Sequence, residues 1–255
     1  MRSPPHNDVF VRCDCNPSMS LPNLAALSLD ESVERQWYRA CGTQPAFKNW
    51  KNLDGRDKYR LLHAVAARAD DDVAADGDYV TAYEQLDIDD VMSREVWSVE
   101  HVVPRSHING RAPGAGENDP VGWIEATRTA NSRRSNLPLY LWTSPDGSMA
   151  PENTKVRVDG EWHFVPPLAQ RARLARKWMF IRATYDDIQA PSKAQTRHAA
   201  EIVALAQHFP IQPAERRVNE HFRSTLRWAN PLLEADADRW YGDVKWRARV
   251  FSGPA

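Results

Sequence analysis

Long apolar runs are missing from this 255-residue sequence: no stretch approaches the roughly 20 residues a membrane-spanning helix requires, which excludes a chain built on such spans. Cysteine is scarce, at 3 residues. Cys13 and Cys15 are too close to bridge each other easily, and an odd count does not make a disulfide framework. With His6 and Cys41 they match no structural zinc spacing. The first residues, MRSPPHNDVFVRC, lack the apolar core of a secretion signal, so the default expectation is an intracellular, reduced protein. Internal repeats and low-complexity tracts are absent as well. An excess of either charge sign is also missing, since 33 Lys and Arg face 34 Asp and Glu; net charge therefore speaks neither for nor against a nucleic-acid partner, and only its distribution can.

What is present is ordinary globular composition, 42% hydrophobic and 26% charged, in a chain long enough for one substantial core. Charge is segregated. Residues 70 to 90 carry Asp and Glu and no base, whereas residues 154 to 182 carry Lys155, Arg157, Arg171, Arg173, Arg176, Lys177 and Arg182 against Asp159 and Glu161. The second stretch suggests a basic face for an anionic partner; the plainer reading is a solvated helix side whose arginine stems cover apolar neighbours.

Val33, Trp37 and Cys41, four apart, predict an amphipathic helix over 30–41, and Tyr59, Leu62 and Val65 predict another over 56–68. Val96 to Val103 is rich in strand formers and stopped by Pro104. Residues 105 to 120, punctuated by Gly and Pro, form a loop, and Trp123 to Asn136 returns to helix formers. Leu139 to Thr143 suits a short strand, and Val156 to Val165 a hairpin turning at Asp159-Gly160. Leu174, Trp178, Ile181 and Tyr185 draw the core stripe of a helix whose other side carries Arg173, Arg176 and Lys177. Further helices are expected near 195–209 and 214–228. The fold class is α+β, mainly helical, with a small central β element. An irregular lead-in occupies residues 1–29, and a single domain spans 30–255. Trp37, Trp178 and Trp228, among 10 Trp, stand where helix cores expect them, so core rather than base stacking is their expected role.

The segment with the most chemistry is Glu100-His101-Val102-Val103-Pro104-Arg105-Ser106, followed by Asp119 and by Asn131-Ser132-Arg133-Arg134-Ser135-Asn136. Singly, each residue reads as structure: a histidine near a strand end, an amide and an arginine pair on a helix surface. Their order changes that balance, because strand, glycine-bearing loop and helix let a histidine and a helix-borne amide converge. Asn131 and Arg134 share a helical face, with Arg128 three residues earlier. A carboxylate and an amide oxygen are hard ligands suited to Mg²⁺, and a neutral histidine beside such an ion can take a proton from water. That combination describes metal-assisted phosphodiester hydrolysis.

These motifs resemble the endonuclease I group of the His-Me finger (ββα-metal) nucleases. That group's pattern is similar to Glu100 through Pro104 with Ser106, to an Asp twelve residues before Asn131, and to Asn131, Arg134, Ser135 and Asn136. A third block, Phe164-Val165-Pro166-Pro167 with Arg171 to Arg176 and a helix to Tyr185, matches further downstream, so the resemblance covers roughly residues 30 to 190. It implies a ββα core at about 96–143, His101 as general base, and Glu100 with Asn131 as ligands of one Mg²⁺, for which Mn²⁺ or Ca²⁺ can substitute in binding. It also implies a loop arginine on the phosphate, Arg105 or Arg111, and products with 5′-phosphates. Arg134 is either a phosphate clamp or a tie from helix to hairpin. The sequence departs from the pattern at Val121, where the family has His, and in lacking the family's C-terminal Gln-Gly-Asn-Arg-Asn-Pro segment and the export signal and disulfides of many members.

The implied substrate is DNA, with RNA not distinguished from it, bound without sequence readout through phosphate contacts from Arg128, Arg171, Arg173, Arg176 and Lys177. Two alternatives stand beside this reading: a site-specific HNH-type endonuclease, and a catalytically inactive relative that binds nucleic acid.

Overall fold

A computed structural model describes residues 31–42, 78–80, 82–83, 85–87, 97–108, 116–143, 150–186 and 188–252. The predicted lead-in, the predicted helix over 56–68, Cys13, Cys15 and Arg111 lie outside the described residues. Within them the chain is α+β, with eight α-helices and three two-stranded antiparallel sheets.

Helix α1, Glu31–Cys41, buries Trp37 and Cys41 as their spacing predicts. It closes on Gly42, whose φ of 110° suits glycine, and whose N–H reaches the Tyr38 carbonyl at 3.0 Å. A Cβ there would stand 2.1 Å from the Arg227 carbonyl oxygen, so no other residue fits. Strands β1, Asp78–Val80, and β2, Gln85–Asp87, pair with each other.

Strands β3, Trp97–His101, and β4, Trp123–Thr127, pair in an unbroken register from Trp97 opposite Thr127 to His101 opposite Trp123. Trp123–Thr127 is therefore strand, not the start of the predicted helix. Its five residues are all buried, and pairing with β3 overrides the local preference. The chain turns directly into α2, Arg128–Arg134, capped by Thr127, whose hydroxyl accepts from the Ala130 N–H at 3.0 Å. Strands β5, Thr154–Val158, and β6, Glu161–Val165, form the expected hairpin; Asp159 and Gly160 both take positive φ, 52° and 83°, as a two-residue hairpin turn requires. The strand expected at 139–143 is reduced to a bridge from Leu139 to Phe164.

Helix α3, Leu168–Thr184, runs through the centre, with Leu174, Ala175, Met179, Phe180 and Ala183 sealed from solvent. Around it stand α4, Lys193–Arg197, α5, Ala199–His208, α6, Pro213–Leu226, α7, Asp238–Gly242, and α8, Val244–Ser252. Trp37, Trp178 and Trp228 are core, as expected.

The basic side of α3 is also core, and this overturns the expectation of a nucleic-acid-binding face. Arg171 donates to the Pro166 and Trp142 carbonyls at 3.1 and 2.8 Å. Arg176 forks onto both oxygens of Glu215 on α6 and onto the Ala206 carbonyl. Lys177 donates to the Val121 carbonyl at 2.8 Å, and burial pulls its ammonium down to about 7. Arg171, Arg176 and Lys177 thus satisfy carbonyls and a carboxylate inside the protein, where no phosphate reaches them; Arg173 alone of the four is half-buried. The reason lies in the elements packed on α3, which leave only its first turns, at Ala169 and Arg173, partly open to solvent.

Candidate functional site

The residues singled out by their order meet where β3 ends against α2. Asn131 lies in the middle of α2, and its Nδ2 donates to the Ser98 hydroxyl at 2.8 Å and the Val99 carbonyl at 3.1 Å. With the nitrogen so used, Oδ1 is the atom the amide offers to its surroundings. His101 is the last residue of β3, its ring edge-on to Trp123 at 5.9 Å between centroids. His101 and Asn131 line one cleft of about 460 Å³, together with Arg105, Ser106 and Asn136. His101 and Asn131 thus border one cleft at the seam of β3 and α2.

Arg105 stands at the mouth of this cleft in the short turn Arg105–His107, largely exposed and ion-paired with Glu117. Arg128 is exposed at the start of α2. Both side chains are at the surface.

Of the two roles open to Arg134 the structure favours the tie, and the assignment of Glu100 is corrected. Arg134 is 2% exposed and ties the helix to the hairpin: Nε donates to the Leu137 carbonyl, Nη1 to the His101 carbonyl and Nη2 to the Val102 carbonyl, all at 3.0 Å. Its remaining major partner is the carboxylate of Glu100. A guanidinium so fully engaged is a structural tie, not a clamp free to take phosphate. Glu100 is fully buried and does not line the cleft; β3 keeps its regular register with no bulge to turn Glu100 outward beside His101. Burial carries its carboxyl up to about 7, against the pull of Arg134 and of the neighbouring Tyr83 hydroxyl. Sequence reasoning missed Ser98, whose hydroxyl accepts from Asn131, and Tyr83, which neighbours Glu100; neither carries a spacing signal that points there.

The Mg²⁺ implied by the resemblance needs Glu100 and Asn131 on one point. In this arrangement a cation and the Arg134 guanidinium compete for the same carboxylate, and among the described residues no group of three or more His, Cys, Asp or Glu side chains stands together to hold a metal ion. Asn131 alone fits; the pair does not.

Asp119, the acid twelve residues before Asn131, is a buried hub. Oδ1 accepts from the Val121 N–H at 2.9 Å, and Oδ2 accepts from the Tyr185 hydroxyl at 2.8 Å and the Trp228 indole at 2.9 Å. It ties the segment between the two strands of the β3–β4 sheet to the end of α3 and to the residues after α6.

Compared with models of protein families, with curated proteins and with solved structures, the chain has no match in any of the three.

Proposed function

We infer that this chain is an endonuclease of the His-Me finger kind, hydrolysing phosphodiester bonds of DNA or RNA largely without sequence readout. The observation that carries this reading is the shared cleft of His101 and Asn131 at the β3–α2 seam, with Arg105 at its mouth. Two antiparallel strands running directly into a helix is the arrangement a ββα motif calls for.

In this reading the His101 imidazole takes a proton from water, and the water oxygen attacks the phosphorus in line. The new P–O bond forms as the bond to the 3′ oxygen breaks, and the departing oxygen takes a proton from solvent water, leaving a 5′-phosphate and a 3′-hydroxyl. Asn131 positions the phosphate or the water through Oδ1, and Arg105 leaves Glu117 to meet the phosphate, a bidentate pairing for which a guanidinium is suited. Magnesium enters as a requirement of the resemblance, with Asn131 the one predicted ligand that faces the cleft.

The test is a plasmid-nicking assay with Mg²⁺ or EDTA on wild type and His101→Ala. Wild type is expected to give a smear that EDTA suppresses. His101→Ala is expected to lose about 10²–10⁴-fold in rate, the usual contribution of a general base, while still retarding DNA in a gel. Equal cutting by the variant refutes the assignment of the base, and discrete bands indicate site-specific cleavage.

One observation favours a second reading, a nucleic-acid-binding relative that does not cut: Glu100 is taken by Arg134, and Val121 stands where the family has His. Retardation without nicking by wild type supports it.

A further inference from the structure

A second cavity, of about 450 Å³, lies on the other side of the turn Arg105–His107 and shares Pro104 with the cleft of His101. Its wall includes Trp162, a large aromatic left 53% exposed on β6, together with Pro138, Pro191, Glu161 and Gln189. An indole so exposed loses apolar burial that the other tryptophans near it enjoy, and nothing in the core requires it there. Arg157 is directly opposite Trp162 across the hairpin, with Lys155 two residues before it on the same strand; both are exposed. The outer face of the hairpin therefore offers an aromatic plane flanked by cations.

The cavity's chemistry suits a base and not a phosphate. The one guanidinium on its wall among the described residues, Arg182, donates to the Val250 and Gln189 carbonyls at 2.6 and 2.7 Å and lies over the Trp178 ring. His107 is held below its ordinary value by burial and by the guanidinium groups of Arg134 and Arg182, which disfavours its charged form. The Glu161 carboxylate repels phosphate and accepts from the exocyclic amines of bases.

We propose that this cavity is a base subsite of the cleft at His101: a nucleotide next to the cut is unstacked and laid against Trp162 while Lys155 and Arg157 follow the backbone, which makes single-stranded or locally unpaired nucleic acid the preferred substrate, cut faster than duplex. The inference rests on the endonuclease reading and deepens it. Stacking on an aromatic side chain is indifferent to base identity, as a nonspecific enzyme requires, but it is open only to a base already out of a duplex.

The test measures binding of a short fluorescein-labelled single-stranded DNA and of its blunt duplex by anisotropy, in the slow-cutting His101→Ala background. Trp162→Ala is expected to weaken single-strand binding about tenfold and leave duplex binding unchanged, with Trp162→Phe restoring most of the loss. In the cleaving protein the same substitution is expected to erase a preference for single-stranded over duplex substrate. Because Trp162 is half exposed, its variants should melt with wild type, which separates a lost contact from a lost fold. Unchanged single-strand affinity in Trp162→Ala, or an equal loss for duplex, overturns the base subsite while leaving the nuclease reading standing. If wild type neither binds nor cuts either DNA, the endonuclease reading itself falls and the subsite with it.

Discussion

Replacing Glu100 by Ala is expected to destabilise the protein by about 3–5 kcal/mol in urea unfolding, the usual cost of removing one partner from a buried ion pair. Arg134 is sealed between α2 and the end of β3, with its other hydrogen bonds spent on the carbonyls of Leu137, His101 and Val102. Without Glu100 its charge has no ion-pair partner among the described residues. Against total stabilities of about 5–15 kcal/mol, a loss of this size brings the fold close to collapse. Glu100→Gln separates this structural role from the ligand role that the sequence resemblance implies. The amide keeps an acceptor for Arg134 and the shape of the side chain, so the variant should fold, less stably than wild type. If Glu100 serves Arg134 and not a cation, the Mg²⁺ concentration for half-maximal nicking is the same in Glu100→Gln as in wild type. A large increase in that concentration, or stabilisation of wild type by Mg²⁺ that the variant lacks, restores Glu100 as a ligand and requires Arg134 to release it.

The parts of this fold legible in the sequence are those fixed by residues close together in the chain. Trp37 and Cys41 announce α1, and Asp159-Gly160 announces its hairpin turn, because helical spacing and positive φ are local demands. That His101 and Asn131 border one cleft is consistent with the order of strand, loop and helix. What the sequence concealed depends on distant partners. Trp123–Thr127 carries no mark that residues 97 to 101 will pair with it and hold it extended. The arginines of α3 have the spacing of a solvated face; only the packing of α6, with Glu215, and of the carbonyls at the end of α5 makes them interior. Glu100 likewise sits beside His101 in the sequence, yet its partner is Arg134, and a motif reading assigns both neighbours to one site when the strand separates them. Trp162 is the converse case. The three residues after it on β6 are buried, and no spacing signal distinguishes an indole kept outside from those in the core.

Asp119→Ala is expected to cost about 3–6 kcal/mol, because it leaves three buried donors without their acceptor: the Val121 N–H, the Tyr185 hydroxyl and the Trp228 indole. Asp119→Asn is not a neutral replacement, since its NH₂ group must face either Val121 or the Tyr185 and Trp228 pair, donor against donor. The effect carries a pH signature. Burial raises the Asp119 carboxyl from its ordinary 3.8 to about 6, outweighing the pull of Trp228, Tyr185 and Val121 and the charge of Lys177. Between those two values the folded protein holds the proton more firmly than the unfolded chain. The stability tied to that proton is therefore fully present below the ordinary value and lost as pH rises through about 6. Subtracting the variant from wild type cancels the titration of groups elsewhere, such as His163, which burial holds low in both. The gap between wild type and Asp119→Ala should thus be wider well below pH 6 than well above it, read by urea denaturation followed through tryptophan fluorescence. A gap of the same size on both sides means that Asp119 is ionised throughout and that its three donors and Lys177 outweigh its burial. A gap near zero means that water replaces the carboxylate at the junction of the β3–β4 connection, α3 and the segment after α6.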